Sequence, residues 1–382
     1  MDFPLQKFDK LDTPFYYYDL NLLRATLGEI NDRAAISENF CVHYAIKANT
    51  NPTVLHTIAQ AGLGADCVSG GEIMAAVAAG FPAEKIMFAG VGKTDKEINI
   101  ALDNDILCFN VESVPELEVI DKLAAAKGKC ARVALRVNPD VDAHTHTNIT
   151  TGRAEDKFGI DLKIIDEVVD LVGRLNNVEL FGLHFHIGSQ ILDMNDFVRL
   201  CDRINPLISD IEAKGIIIRH INVGGGLGID YVDPDRHPIP DFADYFGTFM
   251  RHLALKPYQT VHFELGRAVV AQCGTLVSRV VFVKEGMVKK FVIIDAGMND
   301  LIRPALYGAY HKIENLTSKA DESEVYDVVG PVCESSDVFG KDVELPLTAR
   351  GDLIAIRSAG AYGEIMASQY NCRPFPRSVI SD

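Results

Sequence analysis

Short apolar runs recur along the first two thirds of the chain, separated by amphipathic stretches. The runs are FCVHYAIKA (40 to 48), LGADCVS (63 to 69), KIMFAGV (85 to 91), LCFNVES (107 to 113), ARVALRVN (131 to 138), VELFGLHFHIG (178 to 188), HINVGGG (220 to 226) and TVHFELG (260 to 266). Each has the length of a strand buried on both faces. Between them, stretches such as Pro115 to Lys127, Leu162 to Leu175 and Asp196 to Lys214 carry apolar residues three or four apart, the spacing of a helix with one buried face. Strand and helix alternating eight times predicts α/β architecture, and a (β/α)8 TIM barrel is its closed form. An open doubly wound sheet uses the same units, so alternation by itself leaves the choice open. The polar and glycine residues favour the barrel. Lys47, Asp66, Gly90, Asn110, Asn138, His186, Gly224 to Gly226 and Glu264 all fall at the carboxyl ends of their runs. A closed barrel gathers those ends on one face, where such folds keep their active sites.

Beyond Arg267 the texture changes to β-branched segments such as TLVSRVVFVKE and KKFVIIDAG, with turn signals at Glu285-Gly286 and Gly351-Asp352. The reading is a barrel over 22–270 and a second, C-terminal antiparallel β domain formed by 271–382 together with 1–21. The early segment PFYYYDL (14 to 20) is expected to pair with that domain, and the polar stretch His311 to Glu324 to lie at the surface as a loop or helix.

Composition narrows the function. The chain has 382 residues with 37 Lys+Arg against 53 Asp+Glu, a formal charge of −16, which argues against nucleic acid as a main partner. Its eight cysteines form no CxxC pair or framework spacing, as suits reduced thiols. MDFPLQKFDKLD lacks a basic-then-apolar leader pattern, and no stretch approaches the roughly 18 apolar residues that span a bilayer, so a cytoplasmic protein without a membrane partner is expected.

Four features could carry chemistry. Lys47 ends an apolar strand, where desolvation lowers an amine's proton affinity and frees it as a nucleophile; snorkelling to water is the plainer use. Gly224-Gly225-Gly226-Leu-Gly228 leaves backbone N–H groups open to wrap an anion, unless it is only a turn needing positive φ. Glu264 places a carboxylate in the same mouth, able to hold a protonated pyridine nitrogen or to pair with Arg267. His184 and His186 stand two apart on one strand. Zinc is set aside for them because no third His or Cys supports it, and His186 suits stacking on a planar ring. A lysine, a phosphate cup, a ring-nitrogen carboxylate and a stacking imidazole together form the inventory of a pyridoxal 5'-phosphate site.

Nine segments in order carry a family resemblance: HYAIKAN (43 to 49), GADCVSGGE (64 to 72), TGRAEDKFGI (151 to 160), HFHIGSQ (184 to 190), NVGGGLG (222 to 228), ELGR (264 to 267), MNDLIRPALYGAYH (298 to 311), GPVCESSD (330 to 337) and AGAYGEIMASQYN (359 to 371). Over nearly its whole length the chain resembles the fold type III pyridoxal phosphate-dependent decarboxylases. The resemblance implies that Lys47 bears the cofactor, with Asp66 near the point of attachment. It also implies that His186 stacks on the ring, that Glu264 pairs with its nitrogen, and that Ser189, Gly225, Gly226, Arg267 and Tyr362 complete the cofactor site. It maps substrate contacts onto Arg267, Arg303, Tyr307, Glu334 and Tyr362, and a general acid onto Cys333. The active unit it implies is a homodimer with shared active sites, Cys333 and Glu334 arriving from the partner chain. The chain departs from the family pattern at Leu265, where Pro is usual, and at Ser336, where Gly is common. Arg303 and Glu334 supply both signs needed by a zwitterionic head such as that of meso-2,6-diaminopimelate, whose decarboxylation gives L-lysine. Related substrates are carboxynorspermidine, ornithine and arginine; a non-catalytic binding protein is the alternative of a different class.

Overall fold

The computed structural model describes residues 3–141 and 157–381, so residues 151–156 of the TGRAEDKFGI segment lie outside the described residues. The chain divides into two compact units: 26–228 with 241–266, and 1–25 with 229–240 and 267–382. Relative to the span read from the sequence, residues 229–240 group with the β unit rather than with the barrel around them.

The first unit is a closed barrel of parallel strands. After an early strand β1 (Phe15–Tyr18) that belongs to the other unit, its staves are β2 (Phe40–Ala45), β3 (Gly64–Cys67), β4 (Ile86–Phe88), β5 (Cys108–Val111), β6 (Ala131–Arg136), β7 (Val178–His184), β8 (His220–Asn222) and β9 (Thr260–Leu265). Each falls inside one of the eight runs read from the sequence. Closure is made by β2 against β9, in register from Phe40 with Val261 to Tyr44 with Leu265. The helices start just past the strand ends because caps are written there. Ser69 accepts from the Glu72 N–H at the head of Gly70–Ala79, and Ser113 from the Glu116 N–H at the head of Val114–Ala126. Each such cap is worth about 1 kcal/mol. On the outside of β9, Phe263 packs edge-on to Phe246 of helix Phe242–His252, with ring centroids 4.9 Å apart.

Side chains alternate along β9, so His262 and Glu264 share a face and each anchors a polar layer. In one layer the His262 Nδ1 meets His43 Nε2 at 2.9 Å, while its Nε2 lies 3.1 Å from His220 Nδ1. The layer toward the carboxyl ends is centred on Glu264 and is described below.

The second unit is an eight-stranded sheet. Its further strands are β10 (Gly274–Glu285), β11 (Lys290–Ile294), β12 (Ile313–Asn315), β13 (Ser323–Val329), β14 (Val338–Pro346), β15 (Leu353–Ile356) and β16 (Arg377–Ile380). The order is β12-β15-β10-β11-β13-β14, with β1 beside β10 and β16 beside β1. The early segment therefore pairs with this unit, as its pattern suggests. The sheet is mostly antiparallel, but β11 with β13 and β1 with β16 run parallel. The stretch from His311 corrects the surface reading: it contains β12, His311 itself is buried, and β13 begins at Ser323. Its polar residues misled because they are paired within the sheet, the Asn315 amide donating to Thr348 Oγ1 and Asp352 Oδ2. Among the described residues, no helix is long and apolar enough to cross a membrane.

Candidate active site

The barrel unit brings seven of the candidate residues to the carboxyl ends of its strands. Lys47 lies in the short helical turn Ile46–Ala48 directly after β2, and its side chain remains 41% exposed. Asp66, on β3 and 1% exposed, has Oδ2 3.9 Å from Lys47 Nζ, and its Oδ1 is buried without a hydrogen-bond partner. Burial, together with the Glu264 charge, raises the Asp66 carboxyl well above the usual range against the pull of Lys47.

Glu264 is held by three partners. The Asn222 and Asn110 side-chain amides donate to its Oε1 at 2.7 and 3.1 Å, and His184 Nε2 lies 3.2 Å from its Oε2. Burial pushes this carboxyl up, but His184 foremost, with His186 and Lys47 nearby, holds it below the ordinary carboxylate range. An ionised carboxylate only accepts, so His184 Nε2 carries the proton of that bond. The partners of Glu264 are thus neutral amides and an imidazole. Asn222 does a second job: its Oδ1 accepts from the Gly224 N–H at 2.9 Å, joining the carboxylate to the glycine loop.

That loop needs its glycines. A Cβ on Gly225 would stand 1.8 Å from the Glu264 carbonyl oxygen, and Gly226 has φ +109° with a would-be Cβ 2.7 Å from the Gly188 carbonyl oxygen. The loop is laced to the segment after β7, where Ser189 lies: Ile191 N–H donates to Gly226 O, and Gly228 N–H to Ile191 O, both at 2.9 Å. His186 Nδ1 accepts from the Gly225 N–H at 3.2 Å. Burial, with the charges of Arg136 and Lys47, lowers the His186 proton affinity well below normal. The ring is therefore neutral, with its proton on Nε2.

The remaining candidates belong to the β unit. Arg267 opens the short helix Arg267–Val270, Arg303 opens Arg303–Tyr307, and both are buried. Their Nη1 atoms donate to one oxygen, the Tyr231 hydroxyl, at 2.6 and 2.9 Å. The Arg267 guanidinium also lies 5.2 Å from the ring centre of Tyr362, a residue with φ +55°. Tyr307 closes its helix before Gly308. Arg303 Nη1 further contacts His311 Nε2 at 2.9 Å, and His311 Nδ1 meets the Arg357 carbonyl at 2.8 Å. Cys333 and Glu334 are exposed on the loop between β13 and β14. The Asp337 carboxylate gathers that loop by accepting from the N–H groups of Val332 and Met298, both at 2.7 Å. The Tyr370 hydroxyl donates to Glu334 Oε1 at 2.7 Å, and Cys333 N–H to Asn371 Oδ1 at 3.2 Å.

Several of these residues were not singled out from the sequence as site groups: Asn222, Tyr231, His311, Asp337 and Tyr370, with Asn110 noted only as a strand end. Asn222 and Asn110 had a usable signal, a polar residue at the inner end of an apolar run. Tyr231 and His311 had none: the meaning of Tyr231 depends on arginines 36 and 72 residues away, and that of His311 on how the chain turns back onto Arg303.

The family model for the pyridoxal-binding domain of pyridoxal-dependent decarboxylases matches residues 27–271. A diaminopimelate decarboxylase of Bacteroides thetaiotaomicron is 64% identical over 380 residues, covering 100% of this chain and 98% of the relative. One from Aquifex aeolicus is 42% identical, covering 96% of this chain and 86% of its own. Among solved structures, a diaminopimelate decarboxylase from Helicobacter pylori complexed with L-lysine superposes with a TM-score of 0.93 at 40% identity, covering 99% of this chain and 94% of that one.

Proposed function

We propose that this chain, which belongs to the pyridoxal-dependent decarboxylase family and within it to the diaminopimelate decarboxylases, removes one carboxyl group of meso-2,6-diaminopimelate as CO2 and leaves L-lysine. The observation that carries the reading is the buried Glu264 carboxylate, kept ionised by Asn222, Asn110 and His184 at the barrel end that also holds Lys47 and the glycine loop. The residues present fit the family's cofactor, pyridoxal 5'-phosphate. Asp66 Oδ1 is a buried acceptor without a partner, and the cradle at Gly225 and Gly226 would be filled by any side chain. Lys47 would hold the cofactor covalently, His186 its ring face, Glu264 its ring nitrogen, and Ser189, Gly225 and Gly226 its phosphate.

When bound, the cofactor supplies an electron sink for the pair released as the Cα–carboxylate bond breaks. The chain's own groups do the rest. Asp66, whose affinity for a proton is raised by burial, can take one from Lys47 Nζ and so free the amine. Glu264, charged and acceptor-only, keeps a proton in place on whatever nitrogen faces it. The neutral His186 ring adds no charge beside the reacting carbon. Arg303 and Arg267 would bind the carboxylate of the substrate's distal amino-acid head and Glu334 its ammonium. The Cys333 thiol would return a proton to Cα after CO2 has left.

Exposure of Cys333 and Glu334 in the single chain supports their delivery by a second copy in a homodimer. Two experiments test this. CO2 release is expected from meso-diaminopimelate and not from ornithine or arginine; the reverse preference would overturn the substrate. Lys47→Ala and Cys333→Ala proteins, each nearly inactive, should on subunit exchange recover roughly a quarter of the original activity, since about half the dimers then carry one intact site. No recovery after proven exchange would withdraw the shared site.

A further inference from the structure

The hydrogen-bond inventory around Tyr231 leaves one proton without a destination. The phenol oxygen accepts from Arg267 Nη1 at 2.6 Å and from Arg303 Nη1 at 2.9 Å, which fills both of its acceptor positions. Its own O–H can then only donate, away from both guanidiniums, and among the described residues no acceptor receives it. A hydroxyl between two cationic donors is a strengthened donor, because each bond it accepts polarises the O–H bond further.

The neighbouring bonds fix which other donors remain. His311 Nδ1 faces the Arg357 carbonyl, an oxygen that can only accept, so the ring proton is on Nδ1 and Nε2 is a bare lone pair. Burial, reinforced by the Arg303 charge, pushes the His311 proton affinity down to about 3, so the ring stays neutral. Arg303 Nη1 therefore spends one hydrogen on His311 and the other on Tyr231. Among the described residues nothing accepts from its Nη2 and Nε, so those hydrogens are left to a ligand. The Tyr231 ring holds the cluster together from the side, 5.1 Å from the Arg303 guanidinium and 5.1 Å, edge-on, from the His311 ring. Each group around Tyr231 is a donor or is already spent, so what completes the set must be an acceptor with more than one lone pair and a negative charge. A carboxylate meets that description.

We propose that Tyr231 is a specificity-determining residue whose hydroxyl donates directly to the distal carboxylate of the substrate, beside the free edge of Arg303. The inference rests on the decarboxylase reading and deepens it: Tyr231 would distinguish a dicarboxylic diamino acid from a simple amine, which offers nothing to accept its proton. A site built to donate to an oxygen rejects ligands lacking that oxygen because the donor is then stranded.

The test compares two ligands of the holoenzyme by calorimetry. L-lysine carries the distal carboxylate, and cadaverine is the same carbon chain without it. Tyr231→Phe keeps the ring and removes only the hydroxyl. It is expected to weaken L-lysine binding by about ten- to a hundredfold, to leave cadaverine binding unchanged, and to raise KM for meso-diaminopimelate with kcat nearly intact. Equal L-lysine affinity in the two proteins, or an equal loss for both ligands, would overturn the proposal. A crystal structure of the unmutated holoenzyme with L-lysine gives an answer independent of any variant: a carboxylate oxygen within about 3.2 Å of the Tyr231 oxygen is required, and a carboxylate bound elsewhere refutes it. Failure of the wild-type holoenzyme to release CO2 from meso-diaminopimelate would instead sink the decarboxylase reading, so the two failures are distinguishable.

Discussion

The two units solve opposite electrostatic problems with the same kind of partner. In the barrel, the buried Glu264 carboxylate is held by three donors, the amides of Asn110 and Asn222 and the imidazole of His184. In the β unit, two buried positive charges on Arg267 and Arg303 share one neutral acceptor, the Tyr231 hydroxyl, and Arg303 takes a second in His311. A direct ion pair would have cancelled each charge. Amide and hydroxyl partners satisfy hydrogen bonds without cancelling the field, so each cluster keeps its sign for a ligand. The difference fits the division of labour proposed above: the negative cluster would tune the reacting group, and the positive cluster would select what is held.

The most drastic way to probe this contrast is to remove the nucleophile from the barrel. Lys47→Ala is expected to lower CO2 release by several orders of magnitude, because the amine that would hold the cofactor covalently is then gone. Near-normal turnover without added amine would mean that the barrel end is not where the chemistry occurs. A subtler pair of variants should separate tuning from selection. Glu264→Gln is expected to lower kcat while sparing KM. Arg303→Ala should raise KM with kcat nearly intact, changing kcat/KM by about ten- to a hundredfold. If both variants moved the same parameter, the proposed division would collapse.

Acid offers the smallest and most graded probe. His311 titrates near its ordinary 6.5 when unfolded but only at about 3 in the folded chain, because it is buried beside Arg303. As pH falls below 6.5 the unfolded state binds this proton first, so the stability contribution is complete above 6.5 and is lost progressively toward 3. The slope is up to about 1.4 kcal/mol per pH unit for one proton. In the barrel, His43 is lowered to about 4 by burial and adds to the same acid loss between 6.5 and 4. His311→Gln retains a donor for the Arg357 carbonyl and an acceptor for Arg303. Its denaturant midpoint is expected to fall less steeply with acid than that of the unmutated chain, and parallel curves would show that His311 does not contribute to acid lability.

Much of this was legible in the sequence, for a definable reason. A parallel barrel buries both faces of every strand, so each stave is a short apolar run, and its candidate site residues stand out as polar interruptions at one end. Lys47, Asp66, His186 and Glu264 were readable for that reason. The β unit was harder, because its polar residues pair across the sheet. The stretch from His311 shows this: polar in sequence, it contains a strand and a buried imidazole. Tyr231 was invisible for a further reason. It lies in residues 229–240, which interrupt the barrel sequence yet group with the β unit, and its partners Arg267 and Arg303 come from later segments.

The β unit's first strand carries a consequence for biosynthesis. β1 is hydrogen-bonded on one side by Gly274–Val277 and on the other by Arg377–Ile380, the most distant segment of the chain. On the ribosome, the whole barrel can emerge while Phe15–Tyr18 still has no neighbour on either side. For all that time an aromatic strand presents two unpaired backbone edges, a template for wrong pairing. The nascent chain therefore depends on a strand made long afterwards, Arg377–Ile380, to cover Phe15–Tyr18, and a chain shortened before Arg377 would keep that edge open after release.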